Sequence, residues 1–231
     1  MAKPITTFSL FLIGLCYSCV LSAQPGYDFN ERCQQAYDLI FSLRLEEGKA
    51  LLEEEKASNP DNLIPWYVEN YIDFFVIYID EDAKEFVERE KLKATRIDKI
   101  REGSNKEPWN RYCQAEIHLQ WALSRLKFEE YLSAFREVRK AFKLLEENKR
   151  KFPDFSPNYK SLGLLHAIIG AIPDQYKWGV NIIGLNGTIE QGMSEMRIIL
   201  QEAETVPFIF EQETWVYYTL MTLYLENDAD A

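Results

Sequence analysis

Histidine is almost missing from this chain. There are two in 231 residues, His118 and His166. Neither has a second histidine or a cysteine at ligand spacing. A zinc site needs three or four such groups, so no metal site and no cofactor site is legible. Cysteine is also scarce. Of four, Cys16 and Cys19 lie in an N-terminal apolar run, which leaves Cys33 and Cys113 for the rest of the chain. Two thiols do not make a disulfide framework, and two buried free thiols are expected. Positive charge is in deficit, with 26 Lys+Arg against 37 Asp+Glu and a net charge of −11. Nucleic-acid binding rests on basic patches that neutralise phosphate, so no nucleic-acid partner is expected. The same balance argues against adhesion to anionic lipid. Long uninterrupted apolar runs are absent too. Phe8–Leu21 is too short to span a bilayer, and Leu162–Leu185 is broken by His166, Pro173, Asp174, Gln175, Lys177 and Asn181, which are costly in hydrocarbon. Alternating β-branched stretches are scarce, which leaves little basis for a sheet.

What is present begins with an export signal. Lys3 precedes the apolar run Phe8–Leu21, and the small Ala23 stands before polar chain. That order of charged start, short apolar core and small residue predicts a secretory signal peptide over 1–23. Residues 24–231 then form the mature part. The expected location is outside the cytoplasm: periplasmic, outer-membrane-associated or secreted, with no membrane span after cleavage.

The mature part reads as helices in succession. Ala36, Leu39, Ile40 and Leu43 fall on one helical stripe. The helix after it stops at Asn59-Pro60, because proline restricts the residue before it and lacks a donor. Pro65 suits the first turn of a third helix that is apolar on most sides, with Trp66, Tyr67, Tyr71, Phe74, Phe75 and Tyr78. A helix apolar all round is a buried one. The next, from Glu81 to Gly103, carries only a thin apolar seam among Glu and Lys, as a solvated outer helix does. Pro108, Pro153, Pro173 and Pro207 mark further breaks. Nine helices are counted, four antiparallel pairs and one more.

Three second-of-pair helices share a small residue, an apolar one four later, and a third position three beyond that: Gly48-Leu52-Glu55, Ala134-Val138-Ala141 and Gly192-Met196-Ile199. Tyr131 precedes Ala134 by three, and Ala36 and Ala122 are small residues in first helices. This spacing is similar to the tetratricopeptide repeat, although Glu55 stands where the repeat has alanine. The resemblance implies an all-α fold of antiparallel helix pairs stacked as a degenerate tetratricopeptide-like superhelical array. A second resemblance lies in Pro173, Gly184-Leu185-Asn186-Gly187 and Gly192-Met193. That spacing resembles the eukaryotic tetratricopeptide-repeat family that includes the mitochondrial inclusion-body clearance protein. It implies a non-catalytic scaffold, with Pro173, Gly184, Gly187 and Gly192 as its structural motif.

The same glycines invite a phosphate-loop reading. Gly187, Gly192 and Ser194 fit its spacing, but Met193 stands where the phosphate-binding lysine is required. Packing accounts for them better. Thr188 can cap a helix with Gln191 completing a capping box, Gly184 and Gly187 supply the turn, and Gly192 admits a neighbouring helix. No nucleophile stands in a recognisable setting beside His118, so no catalytic residue is assigned and no enzyme activity is expected. His166, in an apolar helix, is expected to be a core histidine bonded to backbone.

The expected function is a non-catalytic scaffold or protein-binding module of the bacterial cell envelope. A protein or peptide partner would bind the concave face formed by first helices. Tyr71, Tyr78, Arg111, Gln114, His118 and Arg125 are the candidate partner-binding residues. The alternative is a glycan-binding protein or enzyme using an aromatic surface of Trp66, Tyr67, Trp109 and Trp121. The final stretch from Phe208 reads as an apolar helix with no partner after it. It predicts either continuation of the chain beyond Ala231 or self-association through that helix.

Overall fold

The computed structural model describes residues 25–172 and 184–226. They form nine α-helices and no strand, with one isolated bridge between Gly26 and Asn62. The helices are α1 (Glu31–Phe41), α2 (Leu45–Ser58), α3 (Ile64–Asp80), α4 (Ala83–Arg101), α5 (Pro108–Lys127), α6 (Tyr131–Lys151), α7 (Pro157–Gly170), α8 (Ile189–Ala203) and α9 (Glu211–Met221). A short π-helical turn, Thr222–Glu226, follows. Among the described residues no helix is long and apolar enough to cross a membrane.

Consecutive helices pack as antiparallel pairs. In the first, Arg32 near the start of α1 meets Glu55 and Ser58 near the end of α2. In the third, Arg111 meets Glu147 and Arg125 meets Glu130. In the fourth, a Cβ on Gly192 of α8 would lie 2.2 Å from the Gly163 carbonyl of α7 and 2.7 Å from the Ala167 nitrogen. The helices approach here backbone to backbone. Gly192 was legible as a close-approach residue; its counterpart Gly163 was not.

The turns inside the pairs share a feature that no residue type announces. Leu43 (φ 61°), Glu81 (φ 52°) and Glu129 (φ 59°) are the non-glycine residues in the left-handed region. One stands in each of the first three within-pair turns. The fourth connection has Gly184 (φ 78°). Left-handed backbone reverses the chain after a helix C-terminus, and the same geometry recurs although the side chain does not. Leu43 is accordingly outside α1, and it is exposed rather than on the buried stripe. Connections between pairs instead use proline at the start of α3, α5 and α7.

Pro173 lies outside the described residues. Gly187 faces the His166 backbone, which a Cβ would meet at 2.6 Å. Thr188 caps α8 by accepting from the Gln191 backbone N–H. Glu55, which departs from the repeat pattern, is nearly enclosed. Its Oε1 accepts from Asn30, Asn59 and Asn62, and Arg32 pairs with Oε2. The ring of donors offsets the cost of placing a charge at an inward position.

Candidate functional site

Five helices, the first of each pair and α9, converge on one buried ionic centre. Lys160 of α7 donates to Glu116 Oε2 of α5 at 2.7 Å and to Glu213 Oε2 of α9 at 2.8 Å. Tyr37 of α1 donates to Glu213 at 3.1 Å, and Tyr71 of α3 does so at 3.0 Å. Tyr217 donates to the other oxygen of Glu213, and Ser161 to Glu116. Lys160 also stands over the rings of Phe210, Tyr217 and Tyr112. None of Lys160, Glu116 and Glu213 is more than 1% exposed. Burial alone would lower the Lys160 pKa, but the two carboxylates outweigh it and hold it above the usual lysine value. Glu116 is held up by burial, then by Glu213, against the pull of Lys160. Around the centre lies an aromatic cluster in which Phe210 contacts Phe29, Tyr37, Tyr67, Trp109 and Tyr112. The arrangement can fix how five helices meet, but solvent does not reach it.

The two histidines occupy matching places. His118 Nδ1 of α5 lies 2.5 Å from Glu137 Oε2 of α6, and Lys93 of α4 pairs with Glu137 Oε1 at 2.5 Å. One pair further on, His166 Nδ1 of α7 lies 2.6 Å from Glu195 Oε2 of α8, and Lys149 of α6 pairs with Glu195 Oε1 at 3.1 Å. Each trio takes its histidine from a first helix, its glutamate from the second helix of that pair, and its lysine from the second helix before. His166 is thus bonded to side chains, Glu195 and Gln191, and not to backbone as expected. A local sequence window cannot show a partner 29 residues away.

Charge states follow from the surroundings. Burial works against Glu137, but hydrogen bonds from His118 and Lys93 prevail and hold its carboxyl down to about 2. Burial lowers His118 in spite of Glu137. A neutral imidazole beside an ionised carboxylate donates from Nδ1–H, which leaves Nε2 with its lone pair. That atom has no partner among the described residues, and His118 lines an open groove of about 350 Å³ with Glu90, Lys93, Ile97, Arg101 and Lys140. Beside the second trio a groove of about 510 Å³ is lined by Pro153, Tyr159, Glu195, Ile198 and Glu202 among others. A base is present at His118; no serine or threonine hydroxyl and no cysteine thiol is among the residues lining that groove.

The six candidate partner-binding residues separate. Gln114 and Arg125 lie on α5 either side of His118 and meet α4 through Arg101 and Glu90. Arg111 turns to α6, where it pairs with Glu147. Tyr71 is enclosed in the Lys160 centre. Tyr78 is exposed at the end of α3 under Lys127. Of the four rings considered for sugar stacking, Tyr67 and Trp121 are enclosed, while Trp66 and Trp109 are partly covered. Sequence reasoning missed Lys160, Glu213 and Glu137. A lysine inside the apolar run of α7 was the one available signal. Among the described residues no cluster of three or more His, Cys, Asp or Glu could hold a metal ion. Compared with known proteins, the chain matches no family model, no curated protein and no solved structure.

Proposed function

We propose that this chain is a non-catalytic binding module of the bacterial cell envelope, built as a degenerate tetratricopeptide-type array. Its protein partner lies across two grooves, one walled by α4, α5 and α6 and one between the start of α7 and α8. The observation that carries this is the repetition of the His–Glu–Lys trio at two consecutive pairs, each beside an open groove. Repeat proteins bind extended partners by presenting like groups at regular steps. The inward sides of the first helices are engaged with Glu213 and Phe210, so the grooves are the accessible surface beside the trios. Both grooves mix charged groups with an apolar wall, Ile97 in one and Ile198 in the other, which suits peptide rather than a uniformly charged polymer.

Affinity capture from an envelope fraction of the source organism tests this. Wild type is compared with Ala94→Glu and Ile198→Glu, since each lines one of the grooves and both are exposed. A protein held by wild type and lost from both variants supports the proposal. A protein held equally by all three, or a thermal shift with a glycan and none with any captured protein, overturns it.

A further inference from the structure

The chain is acidic overall, yet α6 is not. Seven described cations have no ion-pair partner among the described residues: Lys49, Lys84, Lys106, Arg136, Arg139, Lys143 and Arg150. Four of the seven stand on α6, and all four are exposed. Their spacing is helical. Leu132, Arg136, Arg139, Lys143 and Arg150 follow steps of four, three, four and seven, which keeps them on one side of a 3.6-residue helix. The stripe is about 27 Å long at about 1.5 Å per residue. Its one acidic member, Glu146, has its carboxylate 4.0 Å from His166 Nε2.

An apolar tip continues the stripe at the N-terminal end of α6. Leu132 is 76% exposed and Tyr131 64%, and Leu126 and Phe135 are exposed beside them. Large apolar side chains this open have no role in the core. Basic groups on one helix face with Leu, Tyr and Phe at its end are the elements of interfacial adsorption to anionic lipid. The face is also convex: it is the outer side of a helix, whereas a bound peptide takes a groove or a sheet edge.

We infer that the outer face of α6 docks the protein on an anionic membrane surface. Arg136, Arg139, Lys143 and Arg150 meet the headgroups, and Leu126, Tyr131, Leu132 and Phe135 enter the interface. The net charge does not forbid this. Screening confines electrostatics to about 8–10 Å at physiological salt, so acidic helices on other sides of the molecule are not felt at the docked face; the carboxylates nearest its apolar tip are Glu129 and Glu130, the latter paired with Arg125. This inference is independent of the grooves proposed above as the partner site.

Vesicle co-sedimentation decides it. The full chain is tested on vesicles of equal parts phosphatidylglycerol and phosphatidylcholine, and on phosphatidylcholine alone, at low and high salt. Variants are Arg139→Glu with Lys143→Glu, and Leu132→Asp, each checked by circular dichroism. All share the same residues 1–23, so binding through that apolar run is common to every sample. Each basic group near an anionic surface contributes about fivefold in partition, so the double reversal is expected to lower binding to the mixed vesicles more than tenfold. Leu132→Asp lowers it at both salt concentrations, because the lost apolar contact is not screened by salt. Equal binding to both vesicle types, or unchanged binding by the double variant, overturns the inference. So does binding of soluble polyglutamate with no binding of vesicles, which would assign the stripe to an acidic polypeptide instead.

Discussion

The Tyr37 hydroxyl donates to Glu213 at 3.1 Å across 176 residues, and so ties α1 to α9. Glu213 in turn receives Lys160 and Tyr71. Five helices are therefore joined by a polar centre, inside a shell of aromatic rings.

That centre sets the first prediction. Lys160→Met removes the cation that pairs with both buried carboxylates, Glu116 and Glu213. Breaking a buried pair by deleting one partner costs about 3–5 kcal/mol. Urea unfolding should show that loss, against about 1 kcal/mol for Tyr37→Phe, which removes one hydrogen bond. A Lys160→Met protein as stable as wild type would mean that the centre contributes nothing to how the helices meet.

The α7–α8 crossing and the within-pair turns make opposite predictions for glycine. Gly192→Ala places a methyl against the Gly163 carbonyl, and overpacking of this kind costs about 1–3 kcal/mol. Leu43→Gly and Glu129→Gly relieve left-handed strain at exposed positions. The strain is about 1–2 kcal/mol for an L-residue, partly offset by the greater freedom of glycine in the unfolded chain. Each should raise the urea midpoint slightly. A fall in both would show that the turns are held by their side chains.

Acid should act on the His118–Glu137 pair in two stages. His118 lies below its ordinary 6.5 in the folded protein, so the unfolded chain takes up that proton first and stability falls as pH drops below about 6.5. Glu137 is depressed from 4.5 to about 2, so its contribution is present above 4.5 and is lost as pH falls through about 2. Glu137→Gln is expected to be less stable at neutral pH and to show a shallower decline between pH 4.5 and 2. Parallel profiles for variant and wild type would rule out this pair as the source of acid sensitivity.

Cys33 and Cys113 are both buried and free. Burial, with Glu55 adding to it, pushes the Cys33 thiol up to about 12, and burial raises Cys113 well above its ordinary value. Thiolate is the reactive form, so Ellman's reagent should label neither in the native protein. Labelling should appear in step with urea unfolding. Fast labelling of native protein would show that one of the sites opens.

Much of the fold was legible because it is local. Pro65 and Pro108 start helices through their own fixed φ, and Thr188 caps α8 with a hydroxyl three residues from the N–H it accepts. Gly48, Ala134 and Gly192 were readable as close-approach positions because only small residues admit a neighbouring backbone. The candidate site was less legible. His118, Gln114 and Arg125 do share one side of α5, since periodicity alone puts them there. Tyr71 has the same periodic claim to an inward face, but whether that face meets solvent or Glu213 depends on where α9 packs.

The sequence by itself determined an all-helical chain, the places where its helices start and stop, and which stripe of each is apolar. These follow from backbone sterics and the 3.6-residue period, which act within a few residues. Tertiary structure alone decided that Lys160 would stand between Glu116 and Glu213, 44 and 53 residues away, and that both histidines would take glutamate partners from the following helix. Charge pairing depends on distance in space, and many carboxylates were available to each of these groups. Packing selects the pairs that are buried together and so must be satisfied there.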